Sequence, residues 1–158
     1  MIERIVSNTS PLLSLTKMNA LELIGHLPFE FVCPTEVEEE ILIGANQGYE
    51  TVIPAWLKVL PLRNPLAPLA VASLDTGEAA VIQLALEQNI SLVCIDELKG
   101  RRAALAVGLK VVGSLGLIGK AKTLGLISTT RPFIEKAKNA GIFYDDQLIE
   151  TFLKSIGE

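Results

Sequence analysis

Several residue types are scarce in this sequence, and each shortage excludes something. Two cysteines and one histidine in 158 residues leave too few soft ligands for a structural zinc site. Cys33 and Cys94 fall inside the strand-like runs FEFVCP and SLVCID, so they read as buried, unpaired thiols in a reducing compartment. Neither has an evident histidine partner, which sets thiol catalysis aside. Aromatic residues make up only 5%, so the core must rest on Leu, Ile, Val and Ala. Basic residues number 14 against 18 acidic ones, a net charge of −4, which argues against general electrostatic binding of DNA. No uncharged apolar run approaches the roughly 18 residues of a membrane helix. The longest candidate, Asn64 to Leu74, is broken by Pro65 and Pro68. The opening MIERIVSN carries no signal-peptide pattern, so a cytoplasmic protein without a membrane segment is expected. GxxxxGK and GxGxxG are both absent, which leaves a phosphotransfer or nucleotide-binding domain without its phosphate loop.

What is present is apolar and alternating. Hydrophobic residues reach 49% and mean hydropathy is +0.42, in a chain long enough to bury one sizeable core. RIVSN reads as a short buried strand. Ser10 fits an N-cap and Pro11 the first position of a helix through LLSLTKM, with a second short helical piece at NALELIGH. FEFVCP is a strand, and Pro34 opens the helix TEVEEEILIGAN, which should stop near Gly48. Residues 49–73, broken by Pro54, Pro61, Pro65 and Pro68, are the least regular part, with WLKVLPL as a short edge strand in a crossing loop. A helix follows Asp75 through AAVIQLALEQ, and SLVCID has the apolar character of a central parallel strand. ELKGRRAALAVG and SLGLIGKAKTLG are helices closed by Gly108 and Gly125, with the strand LKVVG between them. RPFIEKAKNAG and the amphipathic QLIETFLKSI complete the chain as helices. This alternation predicts a single α/β domain over 1–158. Its architecture is a three-layer α/β/α sandwich on a mostly parallel sheet of four or five strands.

Four stretches end an apolar run on an acid or amide: IVSNTS, PTEVEEEI, LDTGEAAVIQLA and LVCIDELKGRR. Strand-then-helix units gather such residues at the carboxyl edge of a parallel sheet, where ligand clefts form. Clustered carboxylates there commonly hold a divalent cation against a phosphate. Each residue also has a plainer explanation. Asn8 suits any strand-to-helix turn. Glu36 and Glu40, one helical turn apart, suit a solvated face. Asp75 with Glu78 is a sufficient capping box. Lys99, Arg101 and Arg102 suit a helix surface. Asp96, a charge directly ending the apolar strand LVCI, resists such an explanation best.

Order and spacing are more specific than any one residue. SNTSPL from Ser7, PTEVEEE from Pro34, LDTGEAAVIQLA from Leu74 and CIDELKGRRAA from Cys94 together resemble the PIN domain family of metal-dependent nucleases. VVGSLGLIGKAKTLGLI and RPFIEKAKNAG extend the likeness over nearly the whole chain. The resemblance implies an acidic pocket holding Mg²⁺ or Mn²⁺ at the strands' carboxyl ends. The family's first acid falls on Asn8, the second on Glu40 with Glu36 as the alternative, the third on Glu78 and the fourth on Asp96. Glu40, Glu78 and Asp96 are then the expected catalytic carboxylates, with Asn8 joining them as a metal ligand. Asp75 and Glu36 would support the ligands from behind. Thr9, Ser10, Lys99, Arg101 and Arg102 would meet the substrate backbone.

The resemblance further implies RNA as substrate, the toxin half of a toxin–antitoxin pair, an antitoxin protein as partner, and a homodimer or larger homo-oligomer. The C-terminal amphipathic helix and the apolar composition point the same way on self-association. Asn8 departs from the stricter pattern, because an amide can ligate a metal but carries no charge and cannot act as a base. A PIN-like module that binds RNA or a protein without cleaving is therefore the alternative.

Overall fold

The computed structural model describes residues 2–47 and 53–158. Five parallel strands form one sheet: β1 (Glu3–Ser7), β2 (Phe29–Pro34), β3 (Leu57–Leu60), β4 (Leu92–Cys94) and β5 (Lys110–Val112). Their spatial order is β3-β2-β1-β4-β5, so β1 pairs with β2 on one side and β4 on the other. The chain runs outward from β1 to β3, then returns across the sheet to β4. Between β1 and β4 the connections leave in opposite directions, and the gap above the carboxyl ends is where this topology opens a crevice. Val93, Cys94 and Ile95 are fully buried, as the unbroken apolar run of a central parallel strand predicts.

Nine helices surround the sheet among the described residues: α1 (Thr9–Lys17), α2 (Leu21–Gly25), α3 (Thr35–Asn46), α4 (Pro68–Ser73), α5 (Thr76–Glu87), α6 (Leu98–Ala106), α7 (Ser114–Thr123), α8 (Arg131–Asn139) and α9 (Asp146–Ser155). Helix α5 lies against β1, β2 and β4 with α6 beside it, whereas α1, α2 and α7 pack together in the opposite layer. The α/β sandwich expected from the alternating pattern is the fold, with every strand pair parallel. Positive φ at Gly108 (+86°) and Gly125 (+77°) ends α6 and α7, where Leu109 and Leu126 donate back to Ala104 and Ala121.

Two details differ from the sequence reading. Helix α1 starts two residues early, at Asn8, and the Ser10 hydroxyl turns to Glu97 instead of capping. Residues 68–73 form α4 although Pro68 was expected to belong to a loop; proline at a helix start loses no hydrogen bond. The apolar face of α9 is used at home: Ile149 and Leu153 are buried, and Phe152 packs so closely on α7 that a Cβ at Gly119 would lie 2.9 Å from its ring. That side of the helix is covered within the chain, while Leu148 on α9 stays 51% exposed. Helix α3 ends at Asn46; Gly48, its expected stop, lies outside the described residues, as does the start of the irregular stretch at 49–52. No helix among the described residues is long and apolar enough to cross a membrane.

Candidate metal centre

The crevice above β1 and β4 is assembled from five chain segments. Asn8 follows β1 directly, and its backbone N–H donates to the Cys94 carbonyl at 3.0 Å, tying the two strand ends together. Its side chain is buried and points toward the first turn of α5, where a Cβ on Gly77 would stand 3.2 Å from Asn8 Oδ1. The same Cβ would overlap Glu40 Oε1, so only glycine at 77 lets α5 approach both groups. Thr9 Oγ1 donates to Glu40 Oε2 at 2.8 Å, fixing a carboxylate that otherwise projects from α3. Burial raises the Glu40 pKa, repulsion from Asp75 and Glu97 adds to it, and the bonds from Thr9 and Gly77 oppose it.

Asp75 and Glu78 come from the start of α5. Asp75 Oδ1 accepts the Glu78 backbone N–H at 2.7 Å, the N-cap that the sequence signals. The Glu78 side chain does not reach back to complete a capping box. It turns inward, is 2% exposed, and its Oε2 is buried with no hydrogen-bond partner. A buried polar atom without a partner is costly, and a carboxylate more so. Burial first, then Asp75 and Glu97 close by, push the Glu78 pKa up to about 7. Room for this carboxylate exists because residue 100 on α6 is glycine: a Cβ there would overlap Glu78 Oε2 and sit 2.9 Å from Ile95.

Glu97 closes the group. It is the N-cap residue of α6, and Ser10 Oγ donates to its Oε1 at 3.4 Å. One carboxylate oxygen each from Asp75, Glu78 and Glu97 lie within 4.8 Å of one another. Asp75 was expected to stand behind the ligands and Glu97 had no expected role. The signal for Glu97 was its position directly after Asp96, so that two adjacent acids end β4.

Asp96 itself is engaged elsewhere. Its Oδ1 accepts the Ser114 N–H at 2.7 Å and its Oδ2 the Ser114 hydroxyl at 2.9 Å, which pins it to the N-terminus of α7. Tyr144 Oη lies 2.8 Å from the same hydroxyl. Arg101 Nη1 donates to the Ile95 carbonyl at 2.9 Å, so one arm of this cation braces the end of β4. Lys99 and Arg102 lie exposed on α6. Glu36, half-buried one turn before Glu40, has an unpartnered Oε1 but sits by a separate recess formed with Arg63 and Asn64.

The donor set is all oxygen, with an orphaned carboxylate oxygen beside two others. That suits a hard divalent cation such as Mg²⁺ or Mn²⁺, which takes a few carboxylates and keeps other positions for water or substrate. The thiols take no part. Burial pushes Cys33 up to about 12 and Cys94 well above its ordinary value, so both stay protonated. In comparisons with known proteins, the family model that matches this chain over residues 4–158 is described as a PIN domain. No curated protein matches it.

Proposed function

We propose, from the premise that this chain belongs to the PIN domain family, that it is a divalent-metal-dependent ribonuclease-like protein. The observation that carries this reading is the buried, unpartnered Oε2 of Glu78 facing Asp75 and Glu97. Four carboxylates, counting Glu40, repel one another without a cation; burial first and this repulsion second raise the pKa of Glu40 and Glu78. Asp75, Glu78 and Glu97 would hold Mg²⁺ or Mn²⁺, with Glu40 and the neutral Asn8 amide at the border of the group. The ion supplies a lowered pKa for attacking water and draws charge from phosphoryl oxygens.

The protein's own groups position and shield. Thr9 and Ser10 hold Glu40 and Glu97 by hydrogen bonds, so the carboxylates keep fixed directions. Gly77 and Gly100 let α5 and α6 come close enough to exclude bulk water from Glu78. Lys99 and Arg102, exposed on α6, would meet the phosphates of an RNA strand. By the family resemblance the protein would be the toxin of a toxin–antitoxin pair, with an antitoxin protein as partner. Exposed Leu42, Ile43 and Leu69 support assembly into a homodimer or larger homo-oligomer.

The test is cleavage of labelled RNA by wild type and Glu78→Gln, with Mg²⁺, Mn²⁺ or a chelator. Metal-dependent cleavage that vanishes in the variant is expected; cleavage indifferent to both overturns the reading. A second reading rests on Asn8, whose amide leaves the first position uncharged: a module that binds RNA or a protein without cutting. Asn8→Asp separates the two, since a silent wild type that gains cleavage would be a weakened site.

A further inference from the structure

Strands β2 and β3 end in register, with Pro34 beside Leu60, so the chain leaves both strand ends side by side. Thr35 and Glu36 then begin α3, and Pro61 begins the loop that leads to α4. Between them lies an open recess of about 430 Å³, within the ~300–1,000 Å³ usual for small-ligand sites. None of Asp75, Glu78 and Glu97 lines it, and the crevice over β1 and β4 lies farther in along the sheet.

The loop side of this recess is fixed from behind. Arg63 N–H donates to Glu87 Oε1 at 2.7 Å and Asn64 N–H to Glu87 Oε2 at 3.1 Å. Gln83 Nε2 donates to the Asn64 carbonyl at 2.7 Å, so α5 holds the backbone at two successive residues. Pro61 and Pro65 restrict the chain on either side of these bonds. Their rings, with Leu62 and Leu66, give the recess apolar walls.

Two opposite charges line the recess without pairing. Glu36 Oε1 is buried and has no hydrogen-bond partner. Leaving a carboxylate oxygen in that condition is costly, which points to a partner from outside the chain. Arg63 enters no ion pair among the described residues, although its backbone is held. This combination of signs selects the ligand. A metal ion at Glu36 would meet the Arg63 charge, and a phosphate at Arg63 would meet the Glu36 charge. A molecule carrying both an ammonium and a carboxylate meets each group with its opposite, through charge-assisted hydrogen bonds.

We propose that this recess binds a free aliphatic α-amino acid. Its ammonium lies on Glu36, its carboxylate on Arg63, and its side chain against Pro61, Leu62, Pro65 and Leu66. The site is independent of the ribonuclease reading. Glu40, one turn along α3, joins the metal crevice, and Glu36 is left for this separate task.

The test uses the full chain and three probes: L-leucine, isoamylamine (its ammonium alone) and isocaproate (its carboxylate alone). Backbone amide resonances of Thr35, Glu36, Arg63 and Asn64 report occupancy. Expected are saturable shifts with L-leucine at about millimolar affinity, and ~10-fold weaker binding of either single-charge analogue. Glu36→Gln should bind L-leucine ~10-fold more weakly without weakening isocaproate, and Arg63→Gln should do the same without weakening isoamylamine. Glu36→Gln keeps the side-chain shape and Arg63 is exposed, so neither variant should melt below wild type. Unmoved amides at ~10 mM L-leucine, or an analogue that binds as tightly as leucine, overturns the site. Shifts confined to Asn8, Glu40 and Gly77, or abolished by Mg²⁺, would put the probe in the carboxylate crevice and also overturn it. Binding that persists in Mg²⁺ supports the site whether or not the protein cleaves RNA.

Discussion

The Glu78 carboxylate occupies the space that a side chain at residue 100 would need: a Cβ on Gly100 would overlap its Oε2. A single hydrogen atom on α6 thus decides whether α5 can aim a charge into the crevice. Gly100→Ala should gain a little helix propensity and lose more by crowding Ile95 and Glu78, for a net destabilisation of about 1–2 kcal/mol. Displacing Glu78 should also weaken Mn²⁺ binding by roughly ten-fold, of the size seen when a metal's supporting groups are disturbed. Calorimetric titration beside a thermal melt checks both; unchanged Mn²⁺ affinity would separate Glu78 from the metal.

Glu78→Gln keeps the shape of the side chain and removes its charge. The metal-free protein should then be more stable at pH 8 than wild type, by on the order of 1–3 kcal/mol, because a desolvated charge facing Asp75 and Glu97 is gone. Divalent binding should fall sharply in the same variant. Denaturant titrations with and without Mn²⁺ read both effects, and a variant less stable than wild type at pH 8 would contradict the repulsion described above.

Protons and metal should compete for this site. In the folded protein the Glu78 pKa is raised to about 7, above the ordinary glutamate value of 4.5, so the native state holds an extra proton between those limits. Its contribution to stability is therefore full below roughly pH 4.5 and lost as pH rises through about 7. Glu40 is shifted in the same direction. The difference between wild-type and Glu78→Gln denaturation midpoints should grow from pH 5 to 8, and apparent Mn²⁺ affinity should rise over the same interval before levelling. A difference independent of pH would refute the raised pKa.

Asn8→Asp adds a charge beside Glu40 and Gly77. The metal-free protein should lose about 1–2 kcal/mol through added repulsion in a buried place, and Mn²⁺ should bind roughly ten-fold tighter. Differential melting with a metal series measures the two opposed effects together. Weaker metal binding in the variant would show that residue 8 lies outside the ion's reach.

Adjacent acids at the end of β4 should fail differently. Asp96→Ala breaks two bonds to Ser114 and frees the α7 N-terminus, at an expected cost of about 2–3 kcal/mol. Glu97→Gln should leave stability within roughly 0.5 kcal/mol of wild type or above it, while reducing metal affinity. Matched melts and metal titrations of the pair decide the assignment. If Asp96→Ala folds normally and loses only metal, the two roles are exchanged.

Much of the fold is legible because its signals are local. Gly108 and Gly125 announce helix ends by needing positive φ, Asp75 announces a helix start by capping it, and LVCI announces a central strand by having no polar face. Asn8 at a start expected at Ser10, and α4 where only a loop was expected, are boundary shifts of the kind local signals resolve poorly. The candidate site is harder to read, since Asp96 and Glu97 are neighbours with the same chemistry. Asp96 bonds Ser114 at the start of α7 while Glu97 joins Asp75 and Glu78, and nothing in IDEL says which does which.

The sequence by itself determined the sandwich, the parallel sheet and the segments that bring acids to its carboxyl edge, since hydrophobic period and turn residues act over a few positions. Tertiary structure alone decided which acids converge and which serve as anchors. That choice depends on distances between α5, α6 and α7 set by Gly77, Gly100 and Gly113, glycines whose absent side chains matter only once the helices are packed. Burial raises the Glu78 pKa first, and acids 3 and 19 residues away add to it; only a folded chain brings both to one buried carboxylate.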